Sequence, residues 1–268
     1  MTTTDLARGH ATVHHGSIEA LRRRPVVLGL IGLLVLIAAV IAGVGLGTVA
    51  ISPAETVAIR ASRLGLEVEQ TWAASSETIV ATLRLPRVLT ALIVGLGLSV
   101  AGVTFQGLLR NPLADPYVLG TASGAALGAA IGVLLPIHAA WLGLGVVNIF
   151  AFIGALAAIA VVYRVAGGGG RSTMTSILLT GYAVGSMLAA GLSLAMYLSG
   201  SQLRQIFFYL LGSLHGADWQ SLLVGLPVIA IGSALILVRA RSLNGLLLGD
   251  DTALHLGVDV RRERAILL

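Results

Sequence analysis

Three kinds of side chain in these 268 residues could carry chemistry: twelve acidic residues, seventeen arginines and six histidines. Lysine and cysteine are absent, which excludes disulfides, thiolate metal sites and cysteine nucleophiles. His10, His14 and His15 cluster ahead of "LRRRP", where three imidazoles could bind a metal or belong to a flexible polar tail without a carboxylate partner. "AGGGGRST" at 166–173 resembles a phosphate cradle, yet it lacks the G-x-x-x-x-G-K-[ST] spacing and its lysine, so a flexible connection is expected. "GVGLG" at 43–47 has no strand and helix around it to make a dinucleotide site. No histidine, serine and carboxylate set converges by spacing. The expectation is therefore no enzyme, no resident metal and no cofactor.

The elements that hold these residues explain the scarcity. The chain is 56% hydrophobic and 11% charged, with a mean hydropathy of +0.94, far from the roughly 25% charged residues of soluble domains. This is the composition of a polytopic, all-α membrane bundle. A net charge of +5 could invite a nucleic-acid reading, but the arginines flank apolar runs instead of forming a basic module. Six such runs are predicted to span: Val26–Leu46, Val88–Leu109, Tyr117–Leu135, Ala139–Val162, Met174–Leu198 and Trp219–Val238. The first is preceded by "RRRP", which imitates a secretory signal, but its length fits a retained span.

An inside amino terminus leaves twelve arginines on the cytoplasmic side and five outside, namely Arg60, Arg63, Arg84, Arg87 and Arg204. That asymmetry sets the predicted orientation in a cell membrane. Residues 1–25 are then a disordered cytoplasmic tail, 26–238 the bundle, 239–264 a cytoplasmic segment, and 265–268 the start of a seventh span. "SQLRQIFFYLLGSLHGAD" is expected as a partly embedded outer helix. No acidic residue or arginine falls inside the six predicted spans, which argues against an ion-coupled carrier. Gly120, Gly124, Gly128 and Gly132 recur every four residues and predict a bare helix stripe for close packing.

Two inner segments remain. "LLRNPLADPYVLG" at 108–120 breaks two apolar runs with Asn111-Pro112 and Asp115-Pro116, because a residue before proline leaves the helical region and proline suits a first helical turn. "RARSLNGLLLGDDTALHLGVDVRRER" at 239–264 is punctuated by Gly245, Gly249 and Gly257. Its "DDTALHLG" can form a short helix with Asp250 and Asp251 at the positive end and Leu254 on an apolar side. The segment can lie on the membrane interface or dock a soluble protein.

Three stretches together resemble a known family: "RLPRVLTALIVGLGLSVAGVTFQGLLRNPLADPYVLGTASGAALGA", "RQIFFYLLGSLHGADW" and "LLLGDDTALHLGVDVRR", in that order. They are similar to the FecCD-type permeases, the membrane subunits of binding-protein-dependent ABC importers for iron-siderophores, haem and cobalamin. The resemblance implies a ten-helix subunit paired with a second copy or a paralogue, a cytoplasmic ATP-binding subunit below and a substrate-binding protein outside. It implies that this sequence carries six of those spans. An iron-siderophore is the leading substrate, with cobalamin or haem, or a non-transporting fragment, as alternatives. By motif, Arg84 and Arg87 would receive carboxylates of the binding protein. Asn111 and Leu113, with Thr173, Met174 and Thr175, would form the cytoplasmic gate. Gly249, Asp250, Thr252, Ala253, Leu256 and Gly257 would couple to the ATPase.

Overall fold

The computed structural model describes residues 15–268 apart from 64, 68, 71, 138–139, 142–143 and 168–173. The chain divides into two compact units, one ending at Val88 and one beginning at Leu89.

The first unit opens with α1 (His15–Gly45). Helix begins inside the segment expected to be a disordered tail, since "IEALRRR" is rich in strong helix formers. Its apolar stretch Val26–Gly45 is 20 residues long and has no buried residue in its most apolar window. At 1.5 Å per residue that is about 30 Å, the thickness of the hydrocarbon, which solvates these side chains in place of protein. Of the stretch from Val26 on, only the end packs into a core. Val44 joins Ile51, Ile59, Trp72 and Val80 in a small core made with α2 (Pro53–Arg63), α3 (Ala74–Thr78) and a π-helical turn at Ile79–Arg84. The wide turn precedes Pro86, whose ring would clash with the carbonyl four residues back in a regular helix.

α4 (Leu85–Leu109) continues that turn, so Ala74–Leu109 runs as one helical stretch of 36 residues. In the second unit it is followed by a 3-10 turn at Pro116–Leu119, then α5 (Thr121–Leu134). A two-residue antiparallel pairing of β1 (Ala140–Trp141) with β2 (Leu144–Gly145) comes next. After it run α6 (Val146–Gly167), α7 (Met174–Leu198), a 3-10 turn at Gly200–Gln202, α8 (Leu203–Leu210) and α9 (Trp219–Val238). The chain closes with α10 (Ala240–Leu247), α11 (Asp250–His255) and α12 (Val260–Leu267). Residues 265–267, expected to open a seventh span, are the last turn of α12.

Among the described residues five helices are long and apolar enough to cross a membrane. The ranges of α7 and α9 coincide with predicted spans. The third predicted span differs: Gly120 adopts φ 74°, ending the 3-10 turn and leaving α5 only 14 residues. That is about 21 Å of helix, short of about 30 Å of hydrocarbon. Helical ends at such depth are tolerated where protein covers them, and α6 and α7 do so. A Cβ on Gly124 or Gly128 would strike a backbone oxygen of α6, and one on Gly132 would sit 2.9 Å from the Cα of Val147. Gly120 instead meets α7, where an added Cβ would lie 3.0 Å from the Cα of Gly185. Gly154 on α6 faces Gly124 as closely, so these helices touch through backbone instead of side chains.

Candidate functional site

The site is built around the end of α4. The Asn111 N–H donates to Gln106 O at 3.1 Å and the Arg110 N–H to Gly107 O at 3.3 Å, the paired bonds of a Schellman terminus. This motif puts Arg110 in the left-handed position, φ 49°, the one non-glycine residue with positive φ among those described. The "NPLADP" loop then closes on itself. The Leu113 N–H donates to Asn111 Oδ1 at 3.0 Å, and the Tyr117 N–H to Asp115 Oδ1 at 2.9 Å, which caps the 3-10 turn begun by Pro116. These bonds leave Leu113 87% exposed at the tip.

Beneath the loop, Leu108 packs with Leu243, Leu246, Ala253, Val260 and Leu267, and half-buried Met174 lies against this cluster. The end of α4, the start of α7 and the three terminal helices therefore share one core. Among the expected gate residues, Met174 adjoins that core, Asn111, Leu113 and Thr175 are exposed, and Thr173 lies outside the described residues.

The last three helices are positioned by glycine and by charge. Gly249, φ 109°, turns the chain into α11, and Gly257, φ 80°, turns it out. The Val258 N–H donates to Ala253 O at 2.9 Å and the Gly257 N–H to Leu254 O at 3.0 Å, a second Schellman terminus. Asp250 takes the guanidinium of Arg110 on Oδ1 and that of Arg264 on both oxygens at 2.8 Å. Arg239, at the end of α9, donates to Glu263 of α12 at 2.6 Å.

The expected coupling residues thus separate. Ala253 is fully buried, whereas Asp250 is 40% exposed at its side chain and already paired with two arginines of this chain. Thr252, Leu256 and Gly257 are exposed, as is Leu254. The sequence pattern named Leu254 as an apolar side but gave no indication that Asp250 pairs with Arg110 and Arg264.

A larger correction falls on Arg84. Its side chain is turned into the first unit, 8% exposed. It donates to Val44 O at 3.1 Å, to Gly45 O at 2.9 Å and to Val49 O. The carbonyls that end α1 have no partner within the helix, and a cation satisfies both their lone pairs and the negative helix end. A Cβ at Gly47 would lie 2.5 Å from the guanidinium, so glycine makes room for it. Arg84 does not offer its charge outward; Arg87 is half-buried.

In the second unit, at the other end of α9 from Arg239, a cleft of about 890 Å³ is lined by Asn148, Gln202, Arg204, Gln205, Tyr209 and Ser221, among others. No spacing in the sequence joins these residues, because they meet only where the starts of α6 and α9 come together with α8 and the 3-10 turn before it. Asp218 closes this end with a capping box on Ser221: the Ser221 N–H donates to Asp218 Oδ1 at 2.8 Å and the Asp218 N–H to Ser221 Oγ at 3.0 Å. Hydrogen bonds from the Ser221 hydroxyl and backbone hold the Asp218 carboxyl below its ordinary pKa of 3.8.

Comparison with known proteins agrees with this architecture. The cobalamin import system permease protein of Halobacterium salinarum is 41% identical over 194 residues, 72% of this chain and 52% of that protein. The hemin transport system permease protein of Yersinia pestis is 41% identical over 188 residues, 69% of this chain and 56% of that one. The chain thus spans about half the length of these relatives. A solved structure described as a metal-chelate type ABC transporter in an inward-facing conformation superposes with a TM-score of 0.71 and 26% identity, over 91% of this chain and 71% of the other. The model of the FecCD transport family matches residues 34–268. With that match over most of its length, this multi-pass membrane chain belongs to the FecCD transport family.

Proposed function

We propose that the chain forms part of the translocation pathway of an ABC importer for a bulky metal chelate, a ferric siderophore foremost, with cobalamin or haem as the alternative. Family membership supports the transport reading, and the single structural observation that carries it is α11. That helix is held from behind by buried Ala253, yet Leu254 on it and Leu256 just past its end are 59% and 62% exposed, away from the core. Exposed leucines on a short, anchored helix fit a groove on a soluble protein. The partner is a cytoplasmic ATP-binding subunit that performs the hydrolysis, so this chain is itself no enzyme. α11 and the amino terminus then lie on the cytoplasmic side of the cell membrane.

In the same reading the loop with Asn111 and Leu113, together with Thr173, Met174 and Thr175, forms the inner gate. Small amide, hydroxyl and apolar groups can close a wide path without gripping the chelate. A second permease copy or paralogue supplies the facing wall. An extracytoplasmic binding protein docks near Arg87, with Arg84 setting the outer end of the first span from behind. The polar cleft about Asn148 and Arg204, with one cation and no carboxylate in its lining, would receive cargo on that outer side.

The test uses membrane vesicles carrying the assembled importer, supplied with ATP and with ⁵⁵Fe-ferrichrome, cyanocobalamin or haemin. Uptake of one of them is expected, and Leu256→Asp should reduce both uptake and co-purification of the ATP-binding subunit at least ten-fold. Vesicles that retain the subunit but take up nothing would mark a non-transporting scaffold.

A further inference from the structure

We propose that Arg110 and Asp250 are positioning residues that join the inner-mouth loop to α11, so that the loop follows displacement of that helix. The inference rests on the reading of α11 as a docking helix and of the "NPLADP" loop as a gate, but its first test does not.

The argument begins with a misfit. The left-handed position of a Schellman terminus favours glycine, because a Cβ there crowds the following carbonyl. Gly257, which ends α11 by the same pair of bonds, obeys the rule. Arg110 breaks it at φ 49°. If ending α4 were the whole task, glycine would perform it with less strain. The strain is accounted for by what the side chain reaches: Oδ1 of Asp250, a residue 140 positions away and the first of α11.

The geometry suits a joint. Arg110 immediately precedes Asn111, whose side chain accepts from the Leu113 N–H, so a shift of the Arg110 backbone is passed directly into the loop tip. Asp250 is held on its other flank by both oxygens to Arg264 of α12. It is therefore fixed to the terminal helices while one oxygen holds the loop. The Arg110–Asp250 contact is 41% and 40% exposed at its two side chains, so water can take over either partner and the contact can break and re-form. Gly249 lies beside the contact, and a Cβ there would be 3.8 Å from Arg110 Nη1, an ordinary contact distance; glycine is called for at this position by its φ of 109°.

The natural absence of cysteine makes the chain suitable for spin labels at Leu113→Cys and Leu254→Cys, in nanodiscs and without any partner protein. The inter-label distance distribution is expected to be narrow in the parent. It should at least double in width in Arg110→Gly, which keeps the backbone that the helix terminus prefers and removes only the arm. Asp250→Asn should broaden it as much, and the double variant no further, because both cut one contact. Arg264→Gln should leave it narrower than Arg110→Gly does.

An Arg110→Gly distribution with the parent's mean and width would overturn the proposal, as would additive broadening in the double variant. In assembled importer vesicles, Arg110→Gly should keep ATP hydrolysis within two-fold while lowering uptake per ATP at least five-fold; unchanged uptake per ATP would overturn the link to transport. Should the parent take up nothing, the functional reading fails while the distance measurement still decides the joint.

Discussion

Two arginines flank α4, and they do opposite things with the same group. Arg84, just before the helix, is buried and spends its guanidinium on the backbone carbonyls of Val44, Gly45 and Val49. Arg110, just after it, is exposed and reaches a carboxylate that a second arginine also holds. Carbonyls at a helix end cannot move away without unravelling the helix, so Arg84 forms a permanent closure. A side-chain carboxylate can rotate, exchange partners or be hydrated, so Arg110 forms a separable one. The environment of each guanidinium, more than its charge, determines its role.

That contrast is open to measurement. Arg84→Met should have the largest effect, since it strips a charged donor from three carbonyls; hydrogen bonds to charged groups contribute about 1.5–3 kcal/mol. A loss of about 3 kcal/mol in apparent stability is expected by thermal unfolding in detergent, and a loss below about 1 kcal/mol would place Arg84 with the exposed arginines. Arg110→Gly should change stability by less than about 1 kcal/mol, because an exposed ion pair contributes little and glycine relieves left-handed strain of comparable size. The same unfolding measurement checks it, and a large loss would erase the distinction.

The smallest effect concerns a group that pairs with neither arginine. The carboxyl of Asp218 is held below its ordinary pKa of 3.8 by Ser221. The stabilisation it gives is fully present above about pH 4 and is lost as pH falls through the lowered value. Asp218→Asn keeps a good cap, so it should flatten the unfolding midpoint between pH 2.5 and 5 while leaving it nearly unchanged at pH 7.

Much of the fold is legible in the amino-acid order. α7 and α9 begin and end where hydropathy changes, and α9 is further marked by the Asp218–Ser221 capping box at one end and Arg239 at the other. α5 is not legible in the same way: apolar residues continue through Gly120, and only its positive φ separates turn from helix. The loop of "NPLADP" is readable from its prolines and from Asp115, because those interactions are local. Arg84 and Asp250 are not readable. A charge beside an apolar run normally faces water, and nothing in the local pattern shows that one side chain meets carbonyls 35–40 positions earlier or that the other meets an arginine 140 positions earlier.

The glycine contacts among α5, α6 and α7 carry a mechanical consequence. Helices separated by side chains can glide, because rotamers yield like a compliant layer; helices whose backbones touch have no such layer. Sliding α5 along α6 by one residue, about 1.5 Å, would take Gly124 and Gly128 out of register with the Gly154 and Phe150 carbonyls and bring bulkier neighbours against them. Backbone contact of this kind makes the three helices a single stiff keel, which resists shear between its members and favours moving as one body.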